Sequence, residues 1–156
     1  MSVLEVVMSR SSVRRFRPDP VPREALERIL EAGLRAPTAS AAEQWLFVAV
    51  TDPGLRGEIY RLLVEAHYRY ALEVRGLPRE EADSWRERIL RERRYEAPAY
   101  VFSYLDLRER VCRPEWAELE REWALESLSA AMENMVLAAW SLGVGSVWLG
   151  VPAIMR

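Results

Sequence analysis

The sequence predicts one domain that interleaves helices with a few short strands. Three observations predict it. Trp45 to Val50 is a continuous apolar run closed by Asp52-Pro53, which reads as a strand buried on both faces. Apolar residues recur at helical spacing on either side of that run, most regularly from about Glu115 to Leu142. At 156 residues the chain is one domain's worth and long enough to bury a core.

The elements follow in order. Val3, Leu4, Val6 and Val7 predict a short helix ending near Arg10. Asp19 to Pro22 is a stiff connection, and Pro22 suits the first turn of the next helix. Leu26, Ile29, Leu30 and Leu34 give that helix one buried stripe, ended by Pro37. A loop of small residues, Thr38 to Ala42, leads into the Trp45 strand. Leu55, Ile59, Leu62 and Leu63 predict a helix to about Arg75, broken by Gly76-Leu77-Pro78. Pro78 to Arg94 is polar, with Arg and Glu interleaved, and predicts a solvated helix. Glu96-Ala97-Pro98 is a turn, and Ala99 to Leu105 a second strand. In the long segment Trp123, Leu128, Met132, Met135, Val136, Ala139 and Leu142 share one face, and Gly143 suits a helix end. Ser146 to Gly150 is predicted as a third strand.

The inventory of reactive residues excludes much chemistry. All 22 basic residues are arginine, and there is one histidine, His67, and one cysteine, Cys112. Without lysine there is no Schiff base and no phosphate-loop lysine. His and Cys are too few for a structural zinc site or a thiol-disulfide pair, so no metal residue is assigned. No catalytic residue is assigned either: His67 reads as a surface or partly buried helix residue and Cys112 as a small apolar filler. An enzyme of this composition relies on a bound cofactor for the hard chemistry. A net charge of −2 argues against a general nucleic-acid binder. No apolar run reaches the ~20 residues of a membrane span. The N-terminus lacks the order of a signal peptide, and the single cysteine fits a reducing cytoplasm.

Three segments remain as candidates. In Arg10-Ser11-Ser12-Val13-Arg14-Arg15-Phe16, arginine forks and serine hydroxyls make either an anion site or a solvated basic turn. The small residues from Ala36 to Ala42 allow backbone to lie against a flat ligand, or form an ordinary helix-to-strand loop. Leu142 to Gly150 is rich in glycine. It does not fit a dinucleotide fingerprint, because its glycines follow a helix rather than open one.

In this order the segments resemble the nitroreductase family of FMN-dependent oxidoreductases, across nearly the whole chain. Arg10 to Phe16 resembles the family's opening pattern and Asp19 to Pro22 its approach to the second helix. Ala36-Pro37-Thr38-Ala39 resembles its Ala-Pro-Ser-Ala loop, and Trp45 to Val50 its tryptophan-led strand. Ala97-Pro98 and the run from Leu142 to Gly150 complete the match. The resemblance implies an α+β fold with a central mixed sheet wrapped by helices, in an intertwined homodimer with FMN at the interface. Arg10, Ser11, Ser12 and Arg14 would hold the phosphate and ribityl chain. The loop with Pro37, Thr38, Ala39, Ser40 and Glu43 would reach the flavin from the partner subunit, and Leu149 and Gly150 would offer backbone to its ring. It implies NAD(P)H as co-substrate and a flat small-molecule electron acceptor such as a nitroaromatic or quinone. It also leaves open a domain adapted to cobalamin-ligand or deazaflavin-cofactor metabolism, or a dimer that binds flavin or another ligand without turnover.

Two departures accompany the resemblance. Ala41 and Glu43 stand where the family commonly has Asn and Gln. Family members usually continue through a further helix and a strand with a Lys/Arg pair, so residues 1–156 are expected to be a single nitroreductase-like domain lacking that C-terminal strand.

Overall fold

The structure, a computed structural model, describes residues 1–155. They fall into two compact units, each assembled from three stretches of chain. The first comprises Met1–Ser11, Val21–Ala49 and Val101–Ser146; the second comprises Ser12–Pro20, Val50–Tyr100 and Val147–Arg156.

The first unit is built on a long helix. Helix α1 (Val3–Ser9) starts at a capping box. The Ser2 hydroxyl accepts the Glu5 N–H at 3.3 Å, and Glu5 accepts the Ser2 N–H at 2.7 Å. Only Val6 of α1 is buried. Helix α2 (Arg23–Leu34) follows Pro22, which sits just ahead of the helix as its N-cap. Strand β1 (Trp45–Val50) pairs with β2 (Tyr100–Leu105). The Asp106 N–H donates to the Gln44 carbonyl at 3.0 Å, so the end of β2 meets the start of β1 and the pair runs antiparallel. The chain's fifth α-helix, α5 (Ala117–Ser141), carries the core of this unit. Ala36, Trp45, Leu128 and Ala131 form one buried cluster, and Ile29, Met135 and Ala139 another. Gly143 ends α5 in the left-handed region at φ 74°, and the Val144 N–H closes the turn on the Ala139 carbonyl at 2.8 Å.

Three expectations change here. The β1 strand is not buried on both faces: Leu46 and Val48 point outward and are exposed, while Trp45 faces the core. That is the alternation of a two-stranded sheet covered on one side. The third strand expected over Ser146–Gly150 is reduced to a single bridging residue, Ser146, so the sheet among the described residues has two strands. Trp123 and Leu142 lie partly outside the buried face of α5, because that face runs Glu120, Ala124, Ser127, Leu128, Ala131, Met135 and Ala139.

Helices α2 and α5 approach closely at Gly33. A Cβ built there would lie 2.8 Å from Met135 Cγ and 3.4 Å from the Ala131 carbonyl oxygen. Gly33→Ala therefore sets a helix-propensity gain of about 1 kcal/mol against an overpacking cost of roughly 1–3 kcal/mol. The clash wins because the near atoms are a mid-chain methylene and a backbone oxygen. Urea unfolding should show a net loss of about 1 kcal/mol; a stabilised variant would mean that Met135 repacks freely.

The second unit packs α3 (Pro53–Arg69) against α4 (Arg79–Arg91). The Asp52 carboxylate caps α3 by accepting the Leu55 N–H at 2.9 Å. The last turn of this helical stretch widens: Tyr70–Val74 is a π-helix, and the Arg75 N–H donates to the Tyr70 carbonyl at 3.0 Å. Tyr70 meets the edge of Trp85, and the Arg75 guanidinium lies over the same indole at 5.6 Å. The core of this unit is Leu63, Val64, Ile89 and Tyr95. Apart from Ala82, Ile89 and the half-buried Trp85, the Arg-rich α4 is exposed, as its charge alternation predicts. The final short 3-10 turn, Val151–Met155, packs on α3.

Candidate cofactor site

Arg10 closes α1, with its N–H on the Val6 carbonyl at 3.0 Å. Its guanidinium is 3.9 Å from Glu133 of α5, a loose ion pair that leaves most of its donors free. Ser11 is exposed, and so are Ser12 and Arg14. Neither serine hydroxyl has a hydrogen-bond partner among the described residues. Arg14 donates once, to the Ser12 carbonyl at 3.2 Å. Its own carbonyl accepts the Tyr95 N–H at 2.9 Å, so its backbone is anchored while its side chain is not. The segment thus offers consecutive hydroxyl and guanidinium donors with little internal demand on them. Arg10 and Ser11 belong to the first unit and Ser12 and Arg14 to the second.

Pro37, Thr38, Ala39, Ser40 and Glu43 all lie in one loop of the first unit. Ser40, Ala41 and Glu43 have φ of 54°, 52° and 47°, the left-handed region that non-glycine residues rarely adopt. Strained backbone of this kind persists only where the surroundings impose it. The Thr38 hydroxyl accepts the Glu43 N–H at 3.1 Å, and the Ser127 hydroxyl accepts the Ala39 N–H at 3.1 Å. Glu43 is exposed and makes no ion pair among the described residues. In the second unit Leu149 packs against the Leu63, Val64, Ile89 and Tyr95 cluster, and Gly150 is exposed.

Sequence reasoning missed a buried polar knot beside the loop. Gln44, 6% exposed, donates to the Glu109 carbonyl at 3.0 Å and to Glu120 at 2.9 Å. Glu120, 1% exposed, also accepts the Val111 N–H at 2.7 Å and Arg110 at 3.0 Å. The Val111 amide, with Gln44 and Arg110 behind it, holds the Glu120 carboxyl below its usual range against the opposing effect of burial. One signal was available: Glu120 is a charged residue four, seven and eight positions before Ala124, Ser127 and Leu128, on the apolar stripe of α5.

His67 is buried, not at the surface. Its ring stacks on Tyr95 with centroids 4.4 Å apart, and Nδ1 lies 2.8 Å from the Leu63 carbonyl. Burial lowers its basicity from the ordinary 6.5, although the Leu63 carbonyl opposes the shift. A histidine so placed is structural, and it makes stability depend on pH in a defined direction. Its folded pKa is depressed, so its contribution is complete above pH ~6.5 and falls away as the pH drops below that value. Glu120 is also depressed, and its contribution is lost only below pH ~4.5, as its folded value is approached. Thermal melts against pH should decline in two stages. His67→Gln should remove the upper stage alone, and a single decline below pH 4.5 in the parent would contradict the assignment.

The described residues thus form an α+β fold that carries a donor-rich exposed segment at 10–14 and a strained loop at 38–43. Residues 7–156 match the Nitroreductase family, and the chain belongs to it. It is 31% identical over 153 residues to an NADH dehydrogenase of Thermus thermophilus, covering 92% of this chain and 62% of that one. The chain thus spans less than two thirds of the length of this curated relative. A nitroreductase with bound FMN from Bacteroides fragilis superposes with a TM-score of 0.69 at 26% identity, covering 97% of this chain and 71% of that one. A BluB-like flavoprotein from Clostridium difficile reaches a TM-score of 0.73 at 23% identity, with 99% and 76% coverage, which establishes the shared fold.

Proposed function

We propose that this chain is an FMN-dependent oxidoreductase that moves electrons from NAD(P)H to a flat organic acceptor such as a nitroaromatic or quinone. The observation that carries the reading is the donor set at residues 10–14. Two hydroxyls without partners among the described residues and two arginines with few internal contacts fit a phosphate monoester, which accepts several charge-assisted bonds. The family membership and the FMN bound to the Bacteroides fragilis protein support it.

Bound FMN would supply hydride acceptance and delivery. The chain's own residues would bind and orient. Arg10, Ser11, Ser12 and Arg14 would hold the phosphate and ribityl chain. The 37–43 loop, fixed in shape, would present backbone and the Glu43 carboxylate, and Leu149 and Gly150 would present backbone to the ring. No side chain is required as acid or base, which fits a chain with one buried histidine and no lysine.

The functional form in this reading is a homodimer, with residues 1–156 as one nitroreductase-like domain acting in the cytoplasm. Val3, Leu4, Val7 and Met8 of α1 and Trp116, Trp123 and Leu125 at α5 are exposed large apolar side chains that favour a covering partner. Purified protein should be yellow, with the absorption of oxidised flavin, and should bleach under NADH or NADPH. Light scattering should give twice 18.0 kDa. Colourless protein that ignores added FMN would replace this reading with a non-catalytic binding module.

A further inference from the structure

We propose that the buried face of α5 carrying Glu120 and Ser127 is a positioning template for the 38–44 loop. These two side chains set flavin affinity through the loop, without touching the ligand. The proposal rests on the reading that this loop borders the flavin.

The loop is pinned at both ends by one helix. At its start the Ala39 N–H donates to Ser127 Oγ at 3.1 Å. The same hydroxyl donates to the Trp123 carbonyl at 2.7 Å, so its proton and one of its lone pairs are committed and the hydroxyl is held in orientation. At the end of the loop Gln44 Nε2 donates to Glu120 Oε1 at 2.9 Å. Glu120 is itself immobilised from the other side by the Val111 amide and Arg110. Ser127 and Glu120 are seven residues apart, two helical turns on one face, a separation of roughly 10 Å along the axis. The chain between these two pins must make its path with Ser40, Ala41 and Glu43 all at positive φ. Three such residues hold together only under external constraint, and α5 supplies the side-chain pins at both ends, with Thr38, the Glu109 carbonyl and the Asp106 amide beside them. A loop already held in its binding shape needs less ordering when a ligand arrives, which raises affinity.

The experiment uses the full chain with Ser127→Ala, Ser127→Thr and Glu120→Gln. Hydrogen exchange of residues 38–45 is followed without ligand, and FMN affinity by fluorescence titration. Ser127→Ala should speed exchange of the loop amides about tenfold and weaken FMN binding by a similar factor, the effect expected for one neutral hydrogen bond. Ser127→Thr, which keeps the hydroxyl, should restore both. Glu120→Gln should loosen the Gln44 end while α3 peptides keep their protection. Unchanged loop exchange in both Ser127→Ala and Glu120→Gln overturns the template itself. Faster exchange with unaltered FMN affinity, or a parent that takes up no FMN, instead overturns the flavin-bordering reading and with it this role.

Discussion

Arg14→Ala is expected to weaken FMN binding ten- to a hundredfold, about 1.5–3 kcal/mol for one charge-assisted phosphate contact. The anchor of this residue is its backbone, through the Tyr95 N–H, so truncating the side chain leaves the local path intact. Only the single bond to the Ser12 carbonyl is lost within the chain. Affinity should therefore fall while the melting temperature of the flavin-free protein stays within a degree or two. Arg14→Lys should land between, because an ammonium keeps the charge but not the planar fork. A dissociation constant unchanged by Arg14→Ala would return the segment to a solvated basic turn.

Ile89→Ala is expected to be the most damaging single truncation, at roughly 2–5 kcal/mol. Ile89 is 1% exposed and sits among Leu63, Val64 and Tyr95, which α3 and the 93–95 turn hold in place. The surrounding groups cannot collapse into the gap without moving the His67–Tyr95 stack. Against a total stability of about 5–15 kcal/mol such a loss is large. Its neighbour Leu90 is 48% exposed, and Leu90→Ala should change stability by no more than about 0.5 kcal/mol. Urea midpoints for the pair test the assignment; equal losses would mean that α4 packs through a different face.

Helices α1, α2 and α3, the Trp45 strand and the long α5 were legible because periodicity, proline and cap residues all agreed. Pro22, Asp52 and Gly143 stand where helix ends need them. The solvent exposure of Leu46 and Val48 was not legible, since an apolar run looks the same whether one or both faces are covered. The π-turn was hidden because Ala71, Leu72 and Glu73 are good helix formers and no residue from Tyr70 to Val74 distinguishes the two geometries. For the site, only the resemblance marks residues 10–14 and 37–43 as ligand-facing; the structure shows exposed donors in the first segment and positive-φ backbone in the second. The partners of the polar knot beside the loop were not legible, although Glu120 on an apolar stripe hinted at one, because Gln44 meets Glu120 and Ala39 meets Ser127 only by tertiary packing, across 76 and 88 residues of sequence.

The π-turn carries one consequence for how this chain tolerates length change. An α-helix advances about 100° per residue, so residues five apart point some 140° away from each other. The i to i+5 bond between Tyr70 and Arg75 adds one residue to the turn, and both side chains reach the same indole of Trp85. Deleting one residue between them would tighten the turn to ordinary α geometry and bring positions 70 and 75 to a spacing of four, still on one side of the helix. The same deletion in the middle of α3 would rotate everything beyond it by about 100° and pull Leu63 and His67 out of the core. The widened turn is thus a place in this helical stretch where a residue can be removed without turning the rest of the helix away from its partner.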